Sequence, residues 1–167
     1  MECVQPLHSF NAGDIEKIVV RRAKKNEVFE TLDEKERNLT EDDLLITDGK
    51  KAIALAGIMG VKESGIIPET KNIILESANF KAAFVRKTSQ RLGLRTEAST
   101  RYEKALDTNL TETALFRFLT LLLEMCPEMK IASALIDVRQ AAAEIEAIEL
   151  DLTWLTKNIG HEIQKEK

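Results

Sequence analysis

The spacing of apolar residues in this 167-residue chain changes at Phe80, and that change limits the fold more than any other feature. Between Ile15 and Leu75 the apolar residues fall in short runs separated by polar turns: Ile18-Val19-Val20, Val28 to Leu32, Leu44-Leu45-Ile46, Ala52 to Leu55 and Ile73-Ile74-Leu75. Runs of this length and spacing predict antiparallel strands packed in layers. Asp48-Gly49 lies between two of them and predicts a hairpin with a type I′ turn, because both residues tolerate positive φ. Past Phe80 the period becomes helical. Ala82, Phe84, Val85, Thr88 and Leu92 can share one helix face, and Gly93 is placed to close it with a left-handed cap. A second helix is expected from Glu97 to about Leu106. A third, strongly apolar, is expected from Leu110 to Met125, with Asp107-Thr108-Asn109 as N-cap candidates and Pro127 as the stop. Its face of Leu115, Phe118, Leu119 and Leu122 is expected to be core. Ile131 to Val138 reads as a strand, residues 139–144 as a linker, and a short helix is expected to end near Gly160. The class is α+β: a layered, sandwich-like antiparallel half, followed by helices packed on the sheet.

Composition removes several functions. With 44% hydrophobic and 31% charged residues the chain has an ordinary globular make-up, and no apolar run approaches the roughly 20 residues of a bilayer span. A cytoplasmic location is the expectation. Cys3 and Cys126 are far apart, without CxxC or a nearby histidine, so both are expected to be small buried residues and no metal site is expected. A net charge of −4 argues against a general nucleic-acid binder. The charge is uneven, however: Lys81 to Lys104 holds seven basic residues against two acidic ones, which makes a stripe able to face phosphates.

No general catalytic motif is present; there is no GxGxxG, P-loop, GxSxG or HExxH. Four unusual strings occur in order instead: Gln5-Pro6-Leu7-His8-Ser9-Phe10, Ala54-Leu55-Ala56-Gly57-Ile58-Met59-Gly60, Leu75-Glu76-Ser77-Ala78-Asn79-Phe80, and Leu94-Arg95-Thr96-Glu97-Ala98-Ser99-Thr100-Arg101. Together they resemble the central editing module of the beta subunit of bacterial phenylalanyl-tRNA synthetase, over most of residues 5–138. The tail from Ile145 to Glu162 is more weakly similar to the opening of the next module. On this resemblance residues 1–138 are the editing module, 145–167 begin the following domain, and the chain looks cut at both ends. It departs from the family's pattern at a few places. Val4 stands where a Gly usually precedes Gln-Pro-Leu-His, Ser9 and Asn11 replace Ala and Asp, Asp33-Glu34 replaces a frequent Asp-Gly, and Val61 replaces a second Gly.

The resemblance implies hydrolysis of tyrosine wrongly esterified to phenylalanine tRNA. A pocket that must admit phenylalanine rejects an added hydroxyl by only about a hundredfold, so a second site has to recognise that hydroxyl positively. Family resemblance gives Glu76 this role, and a buried carboxylate is a strong acceptor for a phenol. His8 matches the family's pocket histidine, which orients or polarises the attacking water or the ester. Gly57 and Gly60 let backbone approach the ligand. Thr96 and Ala98 match the pocket floor, one offering a hydroxyl and the other space for a ring. Neither Ser77 nor Ser99 has a neighbouring base in its motif, so attack by water is expected, with assistance from the tRNA's terminal hydroxyl as an option. The resemblance also implies an alpha-subunit partner in an alpha2beta2 heterotetramer, with ATP and Mg2+ serving the whole enzyme and no cofactor in this chain. The chain alone is expected to bind rather than turn over. The alternative is a non-catalytic tRNA-binding or scaffold module, with Arg86, Lys87 and Arg91 on the phosphates.

Overall fold

β1 (Leu7–Asn11) and β8 (Ile73–Ser77) are the outermost strands of the β-rich half in sequence, yet they pair with each other, antiparallel, as a two-stranded ribbon. Between them lie β2 (Val19–Arg22), β3 (Val28–Glu30), β4 (Glu36–Asn38), β5 (Leu44–Thr47), β6 (Ala52–Leu55) and β7 (Met59–Gly60). β2, β5, β6 and β7 form a four-stranded antiparallel sheet in that order, and β3 with β4 makes a separate hairpin. This computed structural model describes residues 4–13, 15–139, 147 and 149–162, and the chain divides into two compact units, Met1–Met129 and Lys130–Lys167.

Three helices follow the strands in the first unit: α1 (Ala82–Leu92), α2 (Glu97–Tyr102) and α3 (Leu110–Met125). The expected α+β order is therefore observed, and each predicted strand from Ile18 to Leu75 has a counterpart. Gly93 closes α1 in the left-handed region at φ 65°. The core is built from Phe10, Phe29, Leu39, Leu45, Ile53, Leu55, Phe80, Val85, Leu94 and Tyr102, contributed by all three sheets and the first two helices.

Several expectations are corrected. The β5–β6 hairpin forms, but through a four-residue connection, Asp48 to Lys51, in which Gly49 and not Asp48 takes positive φ. Asp48 Oδ1 accepts from the backbone N–H groups of Lys50 and Lys51, a local turn that competes successfully with the type I′ geometry. α2 ends at Tyr102 instead of Leu106, and Ala105 beyond it is left-handed. α3 has the predicted bounds, but Asn109 makes no side-chain cap. Leu115, Phe118, Leu119 and Leu122 are only half-buried, and Ala114 alone in this helix is fully buried. β8 is the one strand or helix with extensive contacts to α3, which leaves much of its apolar surface without a neighbour among the described residues. Cys126, at its end, is exposed; Cys3 lies outside the described residues. Ile131 to Val138 is an exposed irregular segment without strand pairing. Most of the expected linker, 140–144, lies outside the described residues. In the second unit α4 (Leu152–Ile159) ends at Gly160, as predicted; Asp151 caps its start and Gly160 is left-handed.

One buried carboxylate joins sheet to helix. Asp43 is fully buried and accepts from the Thr40 N–H at 2.7 Å, from the Thr88 hydroxyl on α1 at 2.6 Å, and from Arg91 of the same helix. Burial opposes its charge, but the donors from Thr88, Thr40 and Arg91 prevail and hold the carboxyl below the usual range. Val4 and Glu34 are left-handed at φ 55° and 59°. A β-branched side chain is especially strained there. Asp43→Ala is expected to lower stability by about 3 kcal/mol, because Arg91 and Thr88 lose a buried partner; urea denaturation of the chain measures this. Val4→Gly is expected to raise stability by about 1 kcal/mol, since Val4 is half exposed and little packing is lost. The same denaturation curves report it.

Candidate active site

The register of β1 against β8 places His8 directly opposite Glu76. Opposed residues in an antiparallel pair point to the same face with Cβ atoms about 5 Å apart. Both side chains enter one cavity of ≈ 70 Å³, lined by Pro6, Leu7, His8, Ala54, Leu55, Gly57, Ile58, Met59, Gly60, Glu76, Ala98 and Tyr102. Five of the expected site residues, His8, Gly57, Gly60, Glu76 and Ala98, are therefore together, drawn from two sheets and a helix.

The two glycines serve different needs. Gly60 lies against the imidazole: a Cβ there would sit 3.1 Å from both Cε1 and Nε2 of His8. Gly57 has φ 70°, and a Cβ would come within 2.9 Å of the Phe80 ring and 3.1 Å of the Tyr102 ring. Glycine is therefore required at Gly57, by its left-handed φ and the Phe80 ring, whereas a side chain at Gly60 would press on the His8 ring.

Electrostatics separate the two central groups. Burial alone pushes the Glu76 carboxyl up to about 7, so near neutral pH it is divided between acid and carboxylate. His8 keeps solvent access on one side, while the cavity wall desolvates its ring and lowers its pKa. Its ring also meets Phe10 edge to face at 4.5 Å. Tyr102 is held protonated by burial and by the nearby Glu76 charge.

Thr96 occupies another place. It caps α2, accepting from the Ser99 N–H at 3.1 Å and donating to the Ile58 carbonyl at 2.8 Å. Its hydroxyl is thus engaged in bracing the wall that Ile58 and Ala98 form. The basic stripe is also divided. Arg91 is tied to Asp43 and to the Asn38 carbonyl, Arg95 pairs with Glu103, and Arg101 pairs with Glu97, whereas Arg86 and Lys87 are exposed on α1. A wider, shallow hollow of ≈ 570 Å³ between Gly13, Ile15, Glu16, Asp48, Lys50 and Lys51 contains none of the expected residues. Tyr102 was not singled out from the sequence, although it lies four residues after Ala98 and so on the same helix face.

The B3/4 domain family matches residues 1–127. The phenylalanine–tRNA ligase beta subunit of Clostridium acetobutylicum is 45% identical over 169 aligned residues, covering all of this chain and 21% of the relative. That of Clostridium tetani is 42% identical over 99% of the chain and 21% of the relative, and that of Geobacter metallireducens is 51% identical over 83% of the chain and 17% of the relative. The chain spans about a fifth of the length of the curated relatives it matches. It belongs to the B3/4 domain family and corresponds to part of a phenylalanine–tRNA ligase beta subunit.

Proposed function

We propose that the cavity is a hydrolytic editing site that clears tyrosine from mischarged phenylalanine tRNA, within a synthetase whose alpha subunit, with ATP and Mg2+, forms the ester. The observation that carries this reading is the facing pair His8 and Glu76 in one cavity that Gly57, Gly60 and Ala98 also line. A cavity of ≈ 70 Å³ is small beside the roughly 300 Å³ or more of typical ligand sites. It suits the phenol end of the substrate, with the ester and the tRNA terminus at the solvent-open side beside His8.

Glu76 supplies selectivity. The phenolic O–H of tyrosine donates to the carboxylate, while phenylalanine leaves that buried acceptor empty and forfeits its desolvation cost. Ala98 leaves space for the ring. Neutral His8 offers one acceptor nitrogen to orient the water that attacks the ester carbonyl, and the tRNA ribose oxygen departs with a proton. Thr96 acts by holding the β6–β7 turn in place at the Ile58 carbonyl. Arg86 and Lys87 are the cations on this unit that we assign to the tRNA backbone; Arg91 supports α1 from below through Asp43.

In the full-length subunit assembled with its partner, Glu76→Gln is expected to lower kcat/KM for Tyr-tRNA hydrolysis by about a hundredfold, the scale of losing a charged hydrogen bond in the transition state. Unchanged clearance would leave the scaffold alternative, in which Arg86→Glu and Lys87→Glu weaken tRNA binding and cavity variants have no effect. The pH dependence has a definite sign. The ionised form of Glu76 is the accepting form, and burial places its titration at about 7, so kcat/KM rises as pH increases through about 7. His8, lowered from its ordinary value, is already neutral there. The rise should be absent in Glu76→Gln after the spontaneous hydrolysis of the ester is subtracted.

A further inference from the structure

The β1–β8 ribbon shares no strand pairing with the sheet that carries the glycine wall, so side chains must set the spacing between the two sides of the cavity. α2 spans them. At its start, Thr96 donates to the Ile58 carbonyl in the β6–β7 turn. At its end, the Tyr102 hydroxyl donates to the Pro6 carbonyl at 3.2 Å, just before β1. Gln5 completes the connection: its Nε2 donates to the Ala78 carbonyl, just after β8, at 2.6 Å, and lies 3.3 Å from the Pro6 carbonyl and 3.5 Å from the Tyr102 hydroxyl.

The Gln5 amide is costly in one respect. The residue is 8% exposed, and its Oε1 is buried without a hydrogen-bond partner among the described residues. Turning the amide over would set Oε1 against the carbonyls of Ala78 and Pro6, so the amide is confined to its present orientation. For stability alone an apolar side chain of similar shape avoids the orphaned acceptor. What the amide provides is the N–H connection between the start of β1, the end of β8 and α2.

We propose that Gln5 and Tyr102 are positioning residues: they latch the β1–β8 ribbon to α2 and so set the gap between the His8–Glu76 pair and the Gly57–Gly60 wall. For its substrate this inference rests on the editing reading. Without the latch the ribbon moves off the glycine wall, water reaches Glu76, and the carboxylate no longer distinguishes a ring that brings a hydroxyl from one that does not. Selectivity falls more than turnover, whereas a residue that merely filled the core would change neither in the folded protein.

The test compares Tyr102→Phe, which removes only the hydroxyl, and Gln5→Met, which keeps the shape, with Thr88→Val, which weakens the Asp43 network away from the cavity. In the full-length subunit within its synthetase, the ratio of kcat/KM for Tyr-tRNA over Phe-tRNA hydrolysis is measured, together with the rate at which diethyl pyrocarbonate modifies His8, mapped by mass spectrometry. Both latch variants are expected to lose about tenfold in the ratio, the scale of one hydrogen bond, and to show faster modification of His8. Thr88→Val is expected to lower only the melting temperature. Latch variants that behave like Thr88→Val in both measurements overturn the inference. If the wild-type enzyme shows no preference for Tyr-tRNA, the editing reading fails by itself, and His8 modification then decides: faster in the latch variants supports the latch, and unchanged rejects it.

Discussion

The antiparallel pairing of β1 with β8 is the interaction on which the rest of the site depends. Asn11 and Ile73 are register partners although six other strands lie between them in sequence. Closing so long a segment costs chain entropy that no local preference offsets. The pairing is held by Phe10, which is buried in the shared core, and by α3 packed on β8. Once it forms, alternation of side chains leaves no freedom: a slip of one residue would turn His8 and Glu76 to opposite faces.

Two carboxylates in this unit receive opposite treatment. Asp43 is surrounded by donors from its own turn and from α1 that outweigh burial and hold it ionised, and the result is a tie between sheet and helix. Glu76 is half-buried in the cavity wall, with desolvation as the cause of its shift, and its proton is held more tightly as a result. A fully partnered buried charge serves the fold. An unpartnered one is a cost that a ligand can relieve, which is why a cavity carboxylate with a displaced pKa is a functional signal.

Charge along α1 and α2 is sorted by the same packing. Arg91, Arg95 and Arg101 look alike in sequence to Arg86 and Lys87, but each has an acidic partner, and Arg91 reaches a fully buried one. The ion pairs separate structural cations from those facing solvent, through a local i,i+4 pair for Arg101 and a contact distant in sequence for Arg91. α3 shows the reverse case: its apolar pattern predicts a core helix, while Phe116 and Met125 remain 52% and 72% exposed. The period of a helix tells which residues share a face, not how much of that face finds a neighbour.

The sequence by itself determined features whose causes are local. The change of period at Phe80, the Gly93 cap, the helix end near Gly160, the bounds of α3 and the hairpin near Gly49 follow from dihedral preferences and short-range spacing, and the four ordered strings carried the family likeness. β1, β4 and β7 were missed because each is too short or too polar to give a strand signal without its partner, and the strand expected from Ile131 to Val138 failed because an apolar run needs a sheet to join. The candidate site was named residue by residue from the likeness, but its form was a tertiary matter. Opposition of His8 and Glu76, the use of the Thr96 hydroxyl as a brace, the place of Tyr102 in the wall and the orphaned Gln5 oxygen all depend on contacts between segments distant along the chain. Desolvation, which moves the Glu76 carboxyl to about 7, exists only once those segments have closed around it.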